Sequence, residues 1–283
     1  MFNIAFRNLK VFFRDRAAVL YSLMAVFMII GLYVLFIGNV VTADLEMEGA
    51  RFLTDSWIMA GMIAAGTFTT TLGALGRIID DEDQKITKDF RSSPLRRSSV
   101  TGGYVFSALL VGMALSILTL VLAEGYILAN GGTLLPLGRV LELLAVMLLS
   151  VLASGSMMFF AVSFIGSSHA FAGLSTICGV LIGFITGVYM PIGIFPAAVQ
   201  TVVKAFPISH ASALMRQIMM ARPLAESFTG APLGMRGAFE EEMGVRLFVN
   251  GTAIAPWIHI GVLVLTALVF GALSVMRVAR KKT

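Results

Sequence analysis

The chain has 283 residues, 58% hydrophobic and only 13% charged, with a net charge of +5 and a mean hydropathy of +0.90. A soluble domain carries roughly 25% charged residues, so these values exclude an ordinary water-soluble core and point to lipid as the solvent. The one cysteine, Cys178, sits in an apolar segment and excludes an intramolecular disulfide framework or a cysteine-rich metal site.

Residues 2–14 (FNIAFRNLKVFFR) set Ile4, Phe6, Leu9, Phe12 and Phe13 among Asn3, Arg7, Asn8, Lys10 and Arg14. That pattern suits an amphipathic helix on the inner membrane surface, within residues 1–15. A hydrocarbon core about 30 Å thick asks for ~20 apolar residues per helix. Residues 17–38 meet this without one charge, and with no A-x-A-like site behind them they read as a true span and not as a signal peptide. A second span is expected at 57–76, rich in Gly, Ala and Thr. The most charged run follows at 79–99 (IDDEDQKITKDFRSSPLRRSS), opening acidic and turning basic. Spans three, four and five are expected at 102–128, 139–165 and 170–190. Only Gly166-Ser167-Ser168-His169 separates the last two, which implies a tight helical hairpin. Residues 191–221 are broken by Pro191, Pro196 and Pro207 and read as a re-entrant or interfacial helical hairpin, whose backbone must be covered by protein or water. An exposed loop with some helix follows over 222–253, and a sixth span at 254–276. The expected fold class is all-α: a polytopic membrane protein with six transmembrane helices, an N-terminal interfacial helix and an outer hairpin, in a single transmembrane domain over 1–283.

Lys and Arg gather on the cytoplasmic side of membrane proteins. Here they crowd the N-terminus, the 79–99 loop and the C-terminus (Arg277, Arg280, Lys281, Lys282), while 39–56 and 129–138 hold only Arg51. Both termini are therefore expected in the cytoplasm and 191–253 outside, in a cell (plasma or inner) membrane. This distribution also accounts for the positive charge without nucleic acid. Glu124 and Glu142 are the carboxylates well inside predicted spans, and intramembrane charge is a functional hypothesis by default. Arg139, three residues before Glu142, is placed to pair with it on a helix, which favours a structural role. His169, His210 and His259 lie in three regions with no metal-site spacing between them, so no metal and no catalytic arrangement is expected.

The layout resembles the ABC-2 family of transporter permeases over nearly the whole chain. The likeness rests on an Arg- and Phe-rich helix before span one ("AFRNLKVFFRDR"), a charged segment with a Ser-Pro-Leu turn ("RSSPLRRSS"), the tight pair of spans four and five, and the Pro-rich "PIGIFP…AFPISHASALMR" stretch. It implies a dimer of such subunits, as homodimer or with a paralogue, above a separate ABC ATPase subunit. ATP and Mg would belong to that partner, because this sequence has no G-x-x-x-x-G-K-[ST] phosphate loop; the chain itself is expected to bind no cofactor and not to be an enzyme. The family pattern often shows a Glu-Arg-rich stretch ending in Gly-Thr at the start of the cytoplasmic segment, where this chain reads Asp80-Asp81-Glu82-Asp83-Gln84-Lys85-Ile86-Thr87.

On charge alone, 79–97 is as well read as a solvated loop as a lever. The resemblance makes it the ATPase-coupling element, carried by Asp80, Asp81, Glu82, Asp83, Lys85, Lys88, Arg91, Pro94, Arg96 and Arg97. Ser175, Gly179, Gly183 and Gly187 recur every four residues, a spacing that lets helix backbones approach, within one subunit or, as the family implies, at a dimer seam beside the substrate path. Thr67, Thr70 and Thr71, with Thr69, would offer hydroxyls to that path or bond their own backbone. Pro191, Phe195, Pro196, Pro207 and His210 would form an outer gate. The implied function is ATP-driven export of amphiphilic, drug-like or lipid-like molecules, with membrane lipid and the ATPase as partners. Export of a polysaccharide or lipid-linked glycan is the alternative within transport, although only two Trp and five Tyr are present, and a non-transporting membrane assembly factor is the alternative outside it.

Overall fold

The computed structural model describes residues 1–33, 49–86, 97–232 and 234–280. Among them the protein is almost entirely helical. The elements are α1 (Phe2–Arg14), α2 (Arg16–Leu32), α3 (Ala50–Asp83), α4 (Arg97–Ala129), α5 (Leu137–Val162) and α6 (Ser168–Ile185). A 3-10 turn (Ile192–Ile194) then leads to α7 (Ala197–Ala205), α8 (Pro207–Met219), α9 (Ala221–Ser227) and α10 (Met235–Glu242). A two-residue ladder, β1 (Phe248–Val249) with β2 (Thr252–Ala253), turns through Asn250 and Gly251, both at positive φ, and α11 (Pro256–Arg280) closes the described chain. Five of these helices, α3, α4, α5, α6 and α11, are long and apolar enough to cross a membrane. The first expected span is represented by α2, with 17 residues, while 34–38 lie outside the described residues, as do Lys88, Arg91, Pro94 and Arg96 of the charged segment.

Helix α3 is the axis of the molecule. It packs against α2, α4, α5, α6, α8 and α9, and 89% of its most apolar stretch is buried against 11% for α6. It is also longer than the expected 57–76 by about two turns at each end. No Gly or Pro interrupts ARFLTDS before it or RIIDDED after it, and Arg51, Asp55, Asp81 and Asp83 in those extensions find partners elsewhere in the fold. The acidic start of the charged segment is therefore helical, continuous with the second span.

Span five is shorter than expected. Helix α6 stops at Ile185, and Gly187 at φ +69 takes the left-handed position after it. The Val188 N–H reaches the Gly183 carbonyl at 2.8 Å and the Gly187 N–H the Phe184 carbonyl at 3.1 Å, the double closure of a Schellman motif. The expected proline-broken hairpin is present as α7 and α8, with Phe206 extended (φ −84°, ψ 130°) between them and Pro207 in the first helical turn, where its missing N–H costs nothing. Helix α8 is buried along almost its whole length.

Helix α1 divides its apolar residues between two stripes. Ile4, Ala5, Asn8 and Phe12 are buried, chiefly against α4, where Gly103 leaves room for Ile4. Phe2, Phe6 and Phe13 stay exposed, and at 3.6 residues per turn they share one stripe about 60° wide or less, next to the Arg7–Lys10–Arg14 face. An exposed aromatic stripe beside a basic one suits a helix lying in a membrane interface.

Three helices meet at Thr71. A Cβ added at Gly112 of α4 would lie 2.2 Å from its Oγ1 and 3.4 Å from its Cα, and one at Gly155 of α5 would lie 3.2 Å from its Cγ2. Thr71 is β-branched and its Cβ also stands 3.2 Å away, so it cannot swing clear and the two helices would have to separate. Gly112→Leu is therefore expected to destabilise by about 1–3 kcal/mol, seen as a lower melting temperature in detergent. Gly125→Leu, on the same helix with nothing within 4 Å, should leave it unchanged.

Candidate functional site

Two polar clusters interrupt the apolar bundle, one toward each end of α3. At its C-terminal end, Asp81 is fully buried. It accepts hydrogen bonds from Arg7 Nη1 of α1 at 2.7 Å and from the Tyr104 hydroxyl of α4 at 2.6 Å. Arg77 Nε stands 3.3 Å from its other oxygen as an ion pair one turn earlier. Arg7 also donates to Asn8 Oδ1, and the Asn8 amide donates to Ser107 Oγ. Burial works against the Arg7 charge, but the hydrogen bond and the Coulombic attraction of Asp81 outweigh it and raise its pKa above the ordinary value. One carboxylate thus joins α1, α3 and α4. Two residues on, Asp83 accepts from the backbone N–H of Ser168 at 2.9 Å and from its hydroxyl, so an acid of α3 holds the first turn of α6, where backbone donors are unpaired.

The second cluster centres on Arg216 of α8, which has no solvent exposure. Its Nη2 donates to the Gly187 carbonyl at 3.0 Å, its Nε reaches the Trp57 carbonyl at 3.5 Å, and its guanidinium carbon lies 4.7 Å from the Trp57 ring centroid. Gly61 makes the approach possible, since a Cβ there would come within 2.8 Å of Nη2. On the same helix the Ser209 hydroxyl donates to the Ile185 carbonyl at 3.0 Å and the Ser212 hydroxyl to the Thr186 carbonyl at 2.9 Å. These three side chains together satisfy the orphan carbonyls at the end of α6. The negative end of that helix and the indole face act where a carboxylate partner would otherwise stand. Beside them, His210 Nδ1 lies 2.7 Å from His259 Nδ1 of α11, and His210 Nε2 lies 2.9 Å from the Lys204 carbonyl. A carbonyl only accepts, so His210 donates through Nε2, and in the neutral pair His259 donates to its Nδ1.

Several residues singled out in the sequence stand differently in the fold. Asp81 is not on a contact surface but braces three helices from inside, whereas Glu82, Asp83 and Lys85 are exposed and Asp80 is half-buried. Thr67, Thr70 and Thr71 are fully buried inside the subunit, with hydroxyls bonded to the carbonyls of Ala64, Gly66 and Thr67, and Thr67 also meets Ser150 of α5. The face of α3 that carries them packs against α4 and α5. Of the four-residue repeat, the space over Gly183 is filled by the Tyr189 ring and Gly187 belongs to the turn after α6; Gly179 alone of the three glycines faces open space, and Ser175 is half-buried. Arg97 starts α4. Pro191 precedes the 3-10 turn, Phe195 packs at 6.5 Å from Phe184, and Pro196 and Pro207 start α7 and α8.

Glu142 pairs with Arg139 at 2.6 Å, as their spacing predicts, and Glu124 accepts the Leu135 N–H at 2.9 Å. Arg216 is visible in the sequence only as the arginine that closes AFPISHASALMR, without a role. Missed altogether were the contact of His210 with His259 and Asp55, buried and bonded to the Tyr33 hydroxyl at 2.8 Å. Among the described residues no cluster of three or more His, Cys, Asp or Glu side chains could hold a metal ion.

Compared with family models, residues 50–276 match the one described as ABC-2 family transporter protein. The match takes in α3 through most of α11, with the Arg216 cluster and the Asp81 side of the other. The chain belongs to the ABC-2 family. It is therefore a multi-pass membrane protein and a permease-type component of an ABC transporter, a class that carries out transport rather than catalysis and works with ABC ATPase partners. No curated protein matches the sequence. In this ABC-2 protein the family match begins at Ala50, so α1 and α2 lie outside it, yet Arg7 of α1 is bonded directly to Asp81 inside the matched region.

Proposed function

We propose that this ABC-2 protein is the permease subunit of an ATP-driven exporter of amphiphilic, drug-like or lipid-like molecules, acting as a dimer above ABC ATPase subunits. It has six spans and both termini in the cytoplasm of a plasma or inner membrane. The observation that carries the reading is the Asp81 cluster. A push on α1, or on the exposed Glu82, Asp83 and Lys85, is passed by the Arg7–Asp81–Tyr104 contacts into α3, the axis of the bundle, and into α4. The Asp83–Ser168 contact carries it on to α6. A loop with freely solvated charges would have no such route.

The seam of the dimer is the outward face of α6, where Ile177, Val180, Leu181 and Phe184 stay exposed around the open Gly179. The outer gate is the 191–210 segment, held to α11 by the histidine pair. Copurification with an ATPase subunit, followed by reconstitution into proteoliposomes, tests the proposal. ATP should drive amphiphilic dyes or drugs across the bilayer in the direction away from the ATPase, and those compounds should stimulate hydrolysis. A chain that never associates with an ATPase, or a reconstituted pair in which ATP drives no transport, ends the proposal.

A further inference from the structure

A groove of 540 Å³ opens where the first turns of α5 and α11 meet α8, α9 and α10, at the end of the bundle opposite to Asp81. That volume falls within the roughly 300–1,000 Å³ of small-molecule sites. Its apolar lining includes Val146, Leu214 and Ile218 with Ile260 exposed at the edge, and its charged lining sets Arg139, Arg236 and Arg246 against Glu142 and Glu240. Arg139 is matched by Glu142 at 2.6 Å. Glu240, its side chain only 7% exposed, is shared by Arg236 Nε at 2.8 Å and Arg246 Nε at 2.9 Å. Among the residues that line the groove, three guanidinium groups stand against two carboxylates, while Glu241 and Glu242 of α10 are exposed outside it, so the lining itself carries one positive charge in excess. Both contacts use Nε, and the Nη groups of these two arginines make no hydrogen bond among the described residues, so their forked donors stand free for a second anion. Depth is marked by Trp257, 71% exposed one turn before Ile260, and by the exposed Leu137 and Leu141 of α5, the amphipathic and apolar residues found where a helix leaves the bilayer.

We propose that this groove binds an anionic phospholipid of the phosphatidylglycerol type. Its single negative phosphodiester sits between Arg236 and Arg246, and one acyl chain lies along Val146, Ile218 and Ile260. The Arg fork matches phosphate oxygens two at a time, and the charge of the site matches one phosphodiester. A zwitterionic headgroup would bring an added cation to an already positive mouth. The function proposed above enters only in naming the leaflet, the outer one.

Native mass spectrometry of the full chain in detergent, titrated with phosphatidylglycerol and phosphatidylcholine, tests the site. Lipid retention is read without ATP or a partner, so its failure and that of the exporter reading are separate results. Phosphatidylglycerol should be retained preferentially, and the Arg236→Gln/Arg246→Gln variant should lose on the order of a hundredfold in affinity, the value of two charge-assisted contacts. Because that variant strips the buried Glu240 of its partners, Val146→Trp serves as the second arm; it fills the apolar part, leaves the arginines intact, and should lose the lipid equally. The proposal is overturned by equal retention of the two lipids, by undiminished retention in the Val146→Trp variant, by displacement with inorganic phosphate, or by cross-links showing a second copy of the chain seated over Ile260 and Arg246.

Discussion

Asp81→Ala is expected to cost about 3 kcal/mol of stability, the lower end of what removing one partner of a buried ion pair costs. The lower end applies because both cations it leaves behind can reach water, the Arg7 and Arg77 side chains being 32% and 25% exposed. The Tyr104 hydroxyl is less fortunate, since the tyrosine is buried and loses its acceptor. Asp81→Asn should fall between the two proteins, because an amide oxygen still accepts from Tyr104 and Arg7 but attracts neither guanidinium by charge. Tyr104→Phe should cost about 1 kcal/mol, one hydrogen bond. Melting temperatures in detergent give the order. If Asp81→Ala melts with the unaltered protein, the carboxylate is not the brace described above. Under the proposed coupling the functional signature differs from simple destabilisation. At a temperature where the Asp81→Ala transporter is folded and still bound to its ATPase, hydrolysis should continue while transport falls, because without the acceptor the push on α1 no longer reaches α3.

Much of this architecture was legible because its strongest signals are local. Long apolar runs marked α3, α4, α5, α6 and α11, and proline positions marked the α7–α8 hairpin at Phe206. Arg139 and Glu142 could be paired from spacing alone. What stayed illegible lies in contacts remote along the chain. Arg7 and Asp81 are 74 positions apart, His210 and His259 are 49 apart, and Arg216 and Trp57 are 159 apart; no periodicity connects them. The ends of α3 were misread for a related reason. Asp55, Asp81 and Asp83 look like loop residues until their partners Tyr33, Arg7, Tyr104 and Ser168 are known. The four-residue spacing was also ambiguous locally, because it does not distinguish Gly179 inside a helix from Gly187 in the turn that ends it. Thr71 was conspicuous for its hydroxyl, whereas the fold uses it mainly for its volume between Gly112 and Gly155.

Arg216→Ala is expected to be the most damaging single change, costing about 3–5 kcal/mol through a cavity and orphaned carbonyls together. The side chain is wholly buried, stacks on Trp57 and holds the Gly187 carbonyl, so truncation empties the slot that Gly61 keeps open and unties the end of α6. Arg216→Met separates these contributions. It refills most of the volume and gives up the donors, but it also removes a charge held without a carboxylate partner among the described residues. Burying a charge without a carboxylate partner is itself costly, so losing that charge offsets the carbonyls that methionine leaves without a donor. The methionine variant should therefore melt close to the unaltered protein while the alanine variant does not. Lysine should resemble neither, since its compact ammonium cannot both stack on the indole and reach the Gly187 carbonyl in the planar way a guanidinium does. If methionine and alanine destabilise equally, the charge is part of what holds α8 against α6. If methionine is stable and still binds the ATPase yet transport is lost, a charge that the fold does not require is kept for the movement of the outer hairpin.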